Sequence, residues 1–345
     1  MDKKIITALL FVIHHYCFSQ SNTSKINSLG TIPEVESFIR SCSKNTDDKL
    51  SKFTLKTIKD FEDDIISPEI KKKANTLGVD KSFYKGDFNH DGRTDLLFIG
   101  DDNGCIQFSE GSKKETSCGV DVNVIFNLES GYQLKNLLLK HRRFVIPKII
   151  KIDNRDYINI YYEENAMFSD TPTKILSKTL TYKDKYHDFI EYNTQPEKHS
   201  IKSISYKTEP CYGTCPIFEL ELNKNDTSKF TAVIFNFIDD NDRKAENTAL
   251  KNFNKGIKEG VFESQIKTSD FIALEELLNY INFSKLKNYY SISATDNAGS
   301  TLTILYDNGK TKEIGDYGLV GTYGLKNLYR ILSDLRFNQD WRKIE

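Results

Sequence analysis

Two runs of alternating apolar and polar residues, divided by Asp307-Asn308-Gly309 in STLTILYDNGKTKEIGDYG, constrain the fold more than any other feature of the chain. Alternation at a period of two marks strands with one buried face, and an Asp-Asn-Gly turn between them folds the pair into an antiparallel hairpin. The same texture recurs upstream. TDLLFIG, CIQFSEG, VDVNVIFNL, RDYINIYYEE and KTLTYKDKYHDFIEY are short β-rich runs separated by Gly, Asn or Asp clusters, and IKSISYKTE, IFELELN and KFTAVIFNF follow later. With 22 Phe and 18 Tyr, the side chains favour pleated, half-buried surfaces.

Helical spacing appears in three places. EVESFIRSC after Pro33 has Val35, Phe38 and Ile39 on one face, TSDFIALEELLNYIN has Phe271, Leu274, Leu277, Leu278 and Ile281 on one face, and YGLKNLYRILSDL closes the chain. Leu50, Phe53, Ile58, Phe61 and Ile65 also fit a helix face, although FTLKTI alternates like a strand. The expected class is α+β: an N-terminal helical segment, a central, mostly antiparallel β unit, and a C-terminal α+β domain with helices on an antiparallel sheet. The expected boundaries are a leader at 1–19, a partly helical segment at 20–80, a β-rich unit at 81–194, a polar linker at 195–200 and the α+β domain at 201–345.

At 345 residues, 38% hydrophobic and 28% charged, the chain is long enough for several cores and too apolar to stay disordered. Its net charge of -1 offers no footprint for nucleic acid or for an anionic membrane. Lys3 and Lys4 precede the apolar run Ile5 to Ile13, followed by CFSQS, which is the order of a secretory signal peptide. That run is too short to span a bilayer, which takes about 20 residues. A periplasmic or extracellular location is therefore expected. In an oxidising compartment Cys105 with Cys118 and Cys211 with Cys215 are the economical pairs, leaving Cys42 over.

GDFNHDGRTDLLFIG carries the sharpest chemical signal. Counting from Asp87, oxygen-bearing side chains fall at positions 1, 3, 5 and 9, namely Asp87, Asn89, Asp91 and Asp95, with Gly92 at position 6. A hard cation such as Ca²⁺ takes six to eight oxygens at about 2.3–2.6 Å, and the carbonyl of Arg93 at position 7 adds a main-chain donor. Phe98 stands where an EF-hand has its bidentate glutamate, so that motif is excluded. The alternative is an Asx-Gly turn whose carboxylates cap backbone amides. The stretch resembles the calcium-binding loop of FG-GAP and VCBS-type repeats, which links two strands of a blade. That resemblance implies a structural Ca²⁺ site at Asp87, Asn89, Asp91, Arg93 and Asp95.

EPCYGTCPIFELEL places Cys211 and Cys215 around Tyr212, Gly213 and Thr214, a tight loop that a disulfide would close. Three intervening residues differ from the two of redox motifs, and no histidine follows His199 to serve as a base; zinc would need two further ligands at suitable spacing, and His187 and His199 lie in the preceding β unit and linker. The element, with YYSISATDN and GDYGLVGTYGL, resembles a bacterial domain family of unknown function over about residues 200–337. The resemblance implies a unit found in exported or envelope proteins and brings no catalytic residues. Gly318, Gly321 and Gly324 precede the last helix and present amides suited either to helix entry or to an anion.

No nucleophile, base and oxyanion donors cluster in the sequence, so a non-enzymatic exported protein with an unknown protein or glycan partner is the leading expectation. Two alternatives stand beside it: a secreted hydrolase using Asp296 and Asp316, and a thiol-disulfide protein using Cys211 and Cys215.

Overall fold

The computed structural model describes residues 25–43, 49–63, 65–101, 106–110, 113–117, 119–139, 144–164, 174–236, 259–292 and 295–345. The leader, Cys17 and the Cys105 and Cys118 pairing lie outside these residues.

The fold is α+β. Near the N-terminus, α1 (Lys25–Ser28) and α2 (Ile32–Ser41) precede a short strand β1 (Thr54–Leu55) and α3 (Pro68–Leu77). Helix α2 begins where the sequence provides a capping box, with Thr31 and Glu34 bonding each other's backbone amides and Pro33 in the first turn. Helix α3 is capped by Ser67, whose Oγ accepts the Ile70 amide at 3.3 Å, and ends at Gly78 in the left-handed conformation, φ 69°. Between them the chain is neither one helix nor one strand. Leu50, Phe53, Ile58 and Phe61 are buried from short 3-10 turns and extended backbone, so their spacing reflects a folded-over connection pinned by its apolar side chains.

The central unit has two sheets. One joins β1 and β2 (Phe83–Gly86) to the same side of β3 (Asp95–Asp101), followed by β6 (Asp121–Leu128) and β7 (Gly131–Asn136). Between β3 and β6 the hairpin β4 (Ile106–Glu110) with β5 (Lys113–Ser117) forms a separate ribbon. The other sheet runs β11 (Asp188–Glu191), β10 (Ile175–Lys183), β9 (Arg155–Glu163), β8 (Ile146–Ile152). Strand β3 is buried along its whole length because both faces are covered. Leu96 and Phe98 pack with Val35, Phe38 and Ile39 of α2, whereas Leu97 and Ile99 share a core with Ile158, Ile160 and Leu180 of the second sheet and Ile70 of α3. A strand covered on both sides needs a continuous apolar run, which is what DLLFI supplies.

The C-terminal domain is built on eight strands in the order β16 (Tyr289–Tyr290), β18 (Lys310–Tyr317), β17 (Gly299–Tyr306), β12 (Ile201–Thr208), β13 (Ile217–Asn223), β14 (Ser228–Ile234), β15 (Gly260–Ser264), β19 (Arg342–Lys343). All neighbours are antiparallel except β16 with β18. One face, carrying Ile204, Tyr206, Leu220, Phe230, Leu302 and Ile304, is covered by α4 (Thr268–Tyr280) and α5 (Tyr323–Asn338). The expected helix face of α4 is the buried one: Phe271, Leu274, Leu277 and Leu278 lie within the core and Ile281 packs against it.

Segment 195–200, expected as a linker, is fastened along a seam of the C-terminal domain. The Glu197 amide donates to Asn282 Oδ1 at 2.8 Å, the His199 amide to Asn279 Oδ1 at 2.9 Å and the Ser200 amide to Asp307 Oδ1 at 3.1 Å. Polar composition here serves bonding to neighbouring backbone.

Candidate functional site

Two places carry the chemistry anticipated from the sequence, and they differ in where their carboxylates point. The first is the loop between β2 and β3, where Gly86 pairs with Asp95. His90 (φ 63°) and Gly92 (φ 84°) take left-handed backbone to curl it. The Asp87 carboxylate accepts the amides of Asp91 at 3.1 Å and Gly92 at 2.9 Å, Asn89 Oδ1 accepts the Asp91 amide at 3.2 Å, and Asp91 Oδ1 accepts the Arg93 amide at 2.8 Å. Asn89 Nδ2 donates to Asp91 Oδ2 at 3.1 Å, so the first three candidate side chains meet inside one turn.

Asp95 stands apart. It is 0% exposed and its two oxygens accept the Phe88 amide at 2.9 Å and the Asn127 amide at 3.0 Å. Burial pushes its carboxyl up to about 7; Asp91 and Asp87 add to the rise while the two amides oppose it. Arg93 turns its side chain outward to Glu129, at 2.6 Å, and Asp91, at 3.4 Å. The oxygen donors suit a hard cation, but as placed they hold amides, and no three His, Cys, Asp or Glu side chains group closely enough to hold a metal among the described residues. The loop also leans on β9: His90 Nε2 lies 2.8 Å from the Asp156 carbonyl, and the Asp87 amide donates to Asp156 Oδ2 at 3.3 Å. That long-range support has no sequence signal near the motif.

The second place is one end of the C-terminal sheet. Register brings together the end of β12, the starts of β13 and β17 and the ends of β16 and β18, because Thr208 pairs with Ser300, Gly299 with Tyr317, and Tyr290 with Asp316. CYGTCP, TDN and GLVGTYG, far apart in sequence, therefore sit side by side. Cys211 and Cys215 are disulfide-bonded, with Cα atoms 5.8 Å apart, and the loop they close projects Tyr212, which is 88% exposed. Its amide donates to the Asp296 carbonyl at 3.2 Å.

The glycine-rich stretch uses its amides internally. Asp316 is 1% exposed and accepts the amides of Val320 and Gly321, each at 2.9 Å, and the Tyr329 hydroxyl at 3.1 Å. Burial raises its pKa, and those three donors oppose the rise. At the start of α5, Glu191 from β11 accepts the amides of Tyr323 at 2.7 Å and Gly324 at 2.9 Å. The anion at this helix N-terminus is thus a side chain of the central unit. Asp296 is exposed in its loop with φ 64°, while Asp316 is enclosed beneath residues 318–321, so the two carboxylates do not share a cleft.

One cluster went unforeseen. His199 Nδ1 lies 2.9 Å from Asp307 Oδ2 and Nε2 lies 3.3 Å from Glu197 Oε2, while Ser284 Oγ donates to Glu197 Oε2 at 2.8 Å. Nε2 has no accessible surface, and the ring is flanked by Phe283 and Tyr306 at 5.4 and 4.9 Å. A nitrogen closed off from solvent cannot take a proton from a substrate, so the cluster fastens the seam. Only the DNG turn, which contains Asp307, signalled it in the sequence.

Residues 202–336 match the family model described as a domain of unknown function (DUF6438). No curated protein matches the chain.

Proposed function

We propose that the chain is an exported, non-catalytic binding protein in which a calcium ion braces the β2–β3 loop and a disulfide stiffens a projecting loop of the C-terminal domain. The observation that carries the reading is the turn that gathers Asp87, Asn89 and Asp91, with the buried Asp95 at the start of the next strand, where burial first and the charges of Asp91 and Asp87 second oppose its ionisation. A divalent cation would offset that opposition, with Asp87, Asn89, Asp91, Asp95 and the Arg93 carbonyl as its donors. The FG-GAP-like spacing supports the same assignment. The enclosed Asp316 and the buried Nε2 of the half-buried His199 support a binding role over acid-base chemistry.

Export rests on the leader-like N-terminus, and the disulfide between Cys211 and Cys215 accords with an oxidising compartment. No helix among the described residues is long and apolar enough to cross a membrane. The test is thermal unfolding of the processed chain at pH 7.5. Millimolar Ca²⁺ is expected to raise Tm by several degrees, and Asp91→Ala to abolish the rise. An unchanged Tm in both proteins returns the loop to an amide-capping turn.

A further inference from the structure

The helix-free face of the C-terminal sheet seats an aromatic ring and a carboxylate over two glycines. On β17 and β18, Gly299 stands opposite Tyr317 and Gly315 opposite Thr301. The two glycines are thus diagonal neighbours on one face, with Cα atoms about 7–8 Å apart. A side chain on Gly315 would strike the Tyr289 ring, 2.8 Å from Cδ2, and one on Gly299 would strike the Glu209 carboxylate. The absent side chains let an aromatic ring from β16 rest over Gly315 and a carboxylate from just past β12 rest over Gly299, at diagonal positions of β18 and β17. Glu209 reaches this place because its own amide donates to the Gly299 carbonyl at 2.9 Å.

Neither group is consumed by the fold. Tyr289 is 62% exposed, and Glu209 is exposed and makes no ion pair among the described residues. Lys207 lies on the same face, pairs across strands with Glu219 and Thr301, and makes no ion pair with Glu209 among the described residues.

We infer that Tyr289 and Glu209 form a recognition site for a cationic side chain, arginine above all, on a peptide segment of a partner protein. This deepens the binding role proposed above and rests on it. A guanidinium is planar, stacks on an aromatic face within about 6 Å, and simultaneously donates paired hydrogen bonds to a carboxylate. A ring seated over β18 and a carboxylate seated over the adjoining β17 offer both contacts with little ordering cost. Charge complementarity selects a cation over a neutral sugar, for which the ring alone would serve. Lys207 at the margin repels a cation and so limits affinity.

The experiment is fluorescence anisotropy of the processed full-length chain with a labelled, end-blocked Gly-Arg-Gly-Arg-Gly peptide and its citrulline counterpart, which keeps shape and loses charge. The arginine peptide is expected to bind at least tenfold more tightly. Glu209→Gln and Tyr289→Ala each weaken it about fivefold, Tyr289→Phe retains binding, and Lys207→Gln tightens it about twofold. Equal affinity for the two peptides, no binding of either, or indifference to both Glu209→Gln and Tyr289→Ala overturns the inference. So does a neutral oligosaccharide that displaces the peptide and ignores Glu209→Gln. The calcium shift in Tm, measured on the same samples, separates the failures: a retained shift without arginine preference refutes this site and leaves the brace standing.

Discussion

The sheet of the central unit and the sheet of the C-terminal domain are both antiparallel at their centres, yet the first is covered on both faces and the second on one. In β3 every residue from Asp95 to Asp101 is buried, whereas β17 alternates Leu302 and Ile304 inward with Thr301 and Thr303 toward the open face. Coverage decides what polar groups can do. Within the doubly covered sheet the one carboxylate at the strand start, Asp95, is enclosed and bonded to amides, which suits a brace. On the open face of the other sheet, Glu209 and Tyr289 remain available to a second molecule.

The largest effect that probes this contrast is packing. Phe98 is 0% exposed and meets Phe53 edge to face at 5.0 Å, so Phe98→Ala should lower unfolding free energy by about 3–5 kcal/mol in denaturant titrations. Thr303→Ala on the open face should stay within about 0.5 kcal/mol. Comparable losses at the two positions would break the distinction.

Glu191 tests whether the two regions act as one body. Glu191→Ala leaves the Tyr323 and Gly324 amides without their acceptor and should cost about 1 kcal/mol. Proteolysis should then cut first within 193–200, because the seam there loses its neighbour. A variant as stable and as resistant as the parent would mean that the units stand independently.

A smaller effect follows from pH. Asp95 titrates at about 7 in the folded chain against an ordinary value of 3.8, so the folded state holds its proton more tightly than the unfolded state. The associated stability is fully present below about pH 4, declines as pH rises to about 7 and is gone above that. Without calcium, Tm should fall across that window, and Asp95→Asn should flatten the decline. Calcium at pH 8 should restore stability by stabilising the ionised carboxylate. A decline of equal depth in Asp95→Asn assigns it to other groups.

Local signals in the sequence explain most elements. The helices at Val35 to Ile39 and Phe271 to Leu278, the DNG hairpin and the apolar strand after the acidic loop all follow from periodicity and turn chemistry. Strand β8 escaped because Pro147 argues against a strand interior; it is tolerated since β8 lies at the edge of its sheet. The connection around Leu50 to Phe61 escaped because two cores set its spacing: Leu50 and Phe53 bury against Phe98 and α2, while Ile58 and Phe61 bury in the core of Leu97 and Ile99. The candidate sites were legible only in part. The ligand pattern of the acidic loop can be read locally, but the support from Asp156 and the seating of Glu209 over Gly299 and of Tyr289 over Gly315 depend on strand register between residues far apart.

Hydrogen exchange with and without millimolar Ca²⁺ tests the central claim most directly. Added protection is expected only at residues 86–96 and the facing strand around Asn127, with no change across 205–212, 289–290 and 299–317. Protection absent from the acidic loop, or appearing instead in the C-terminal sheet, would contradict it.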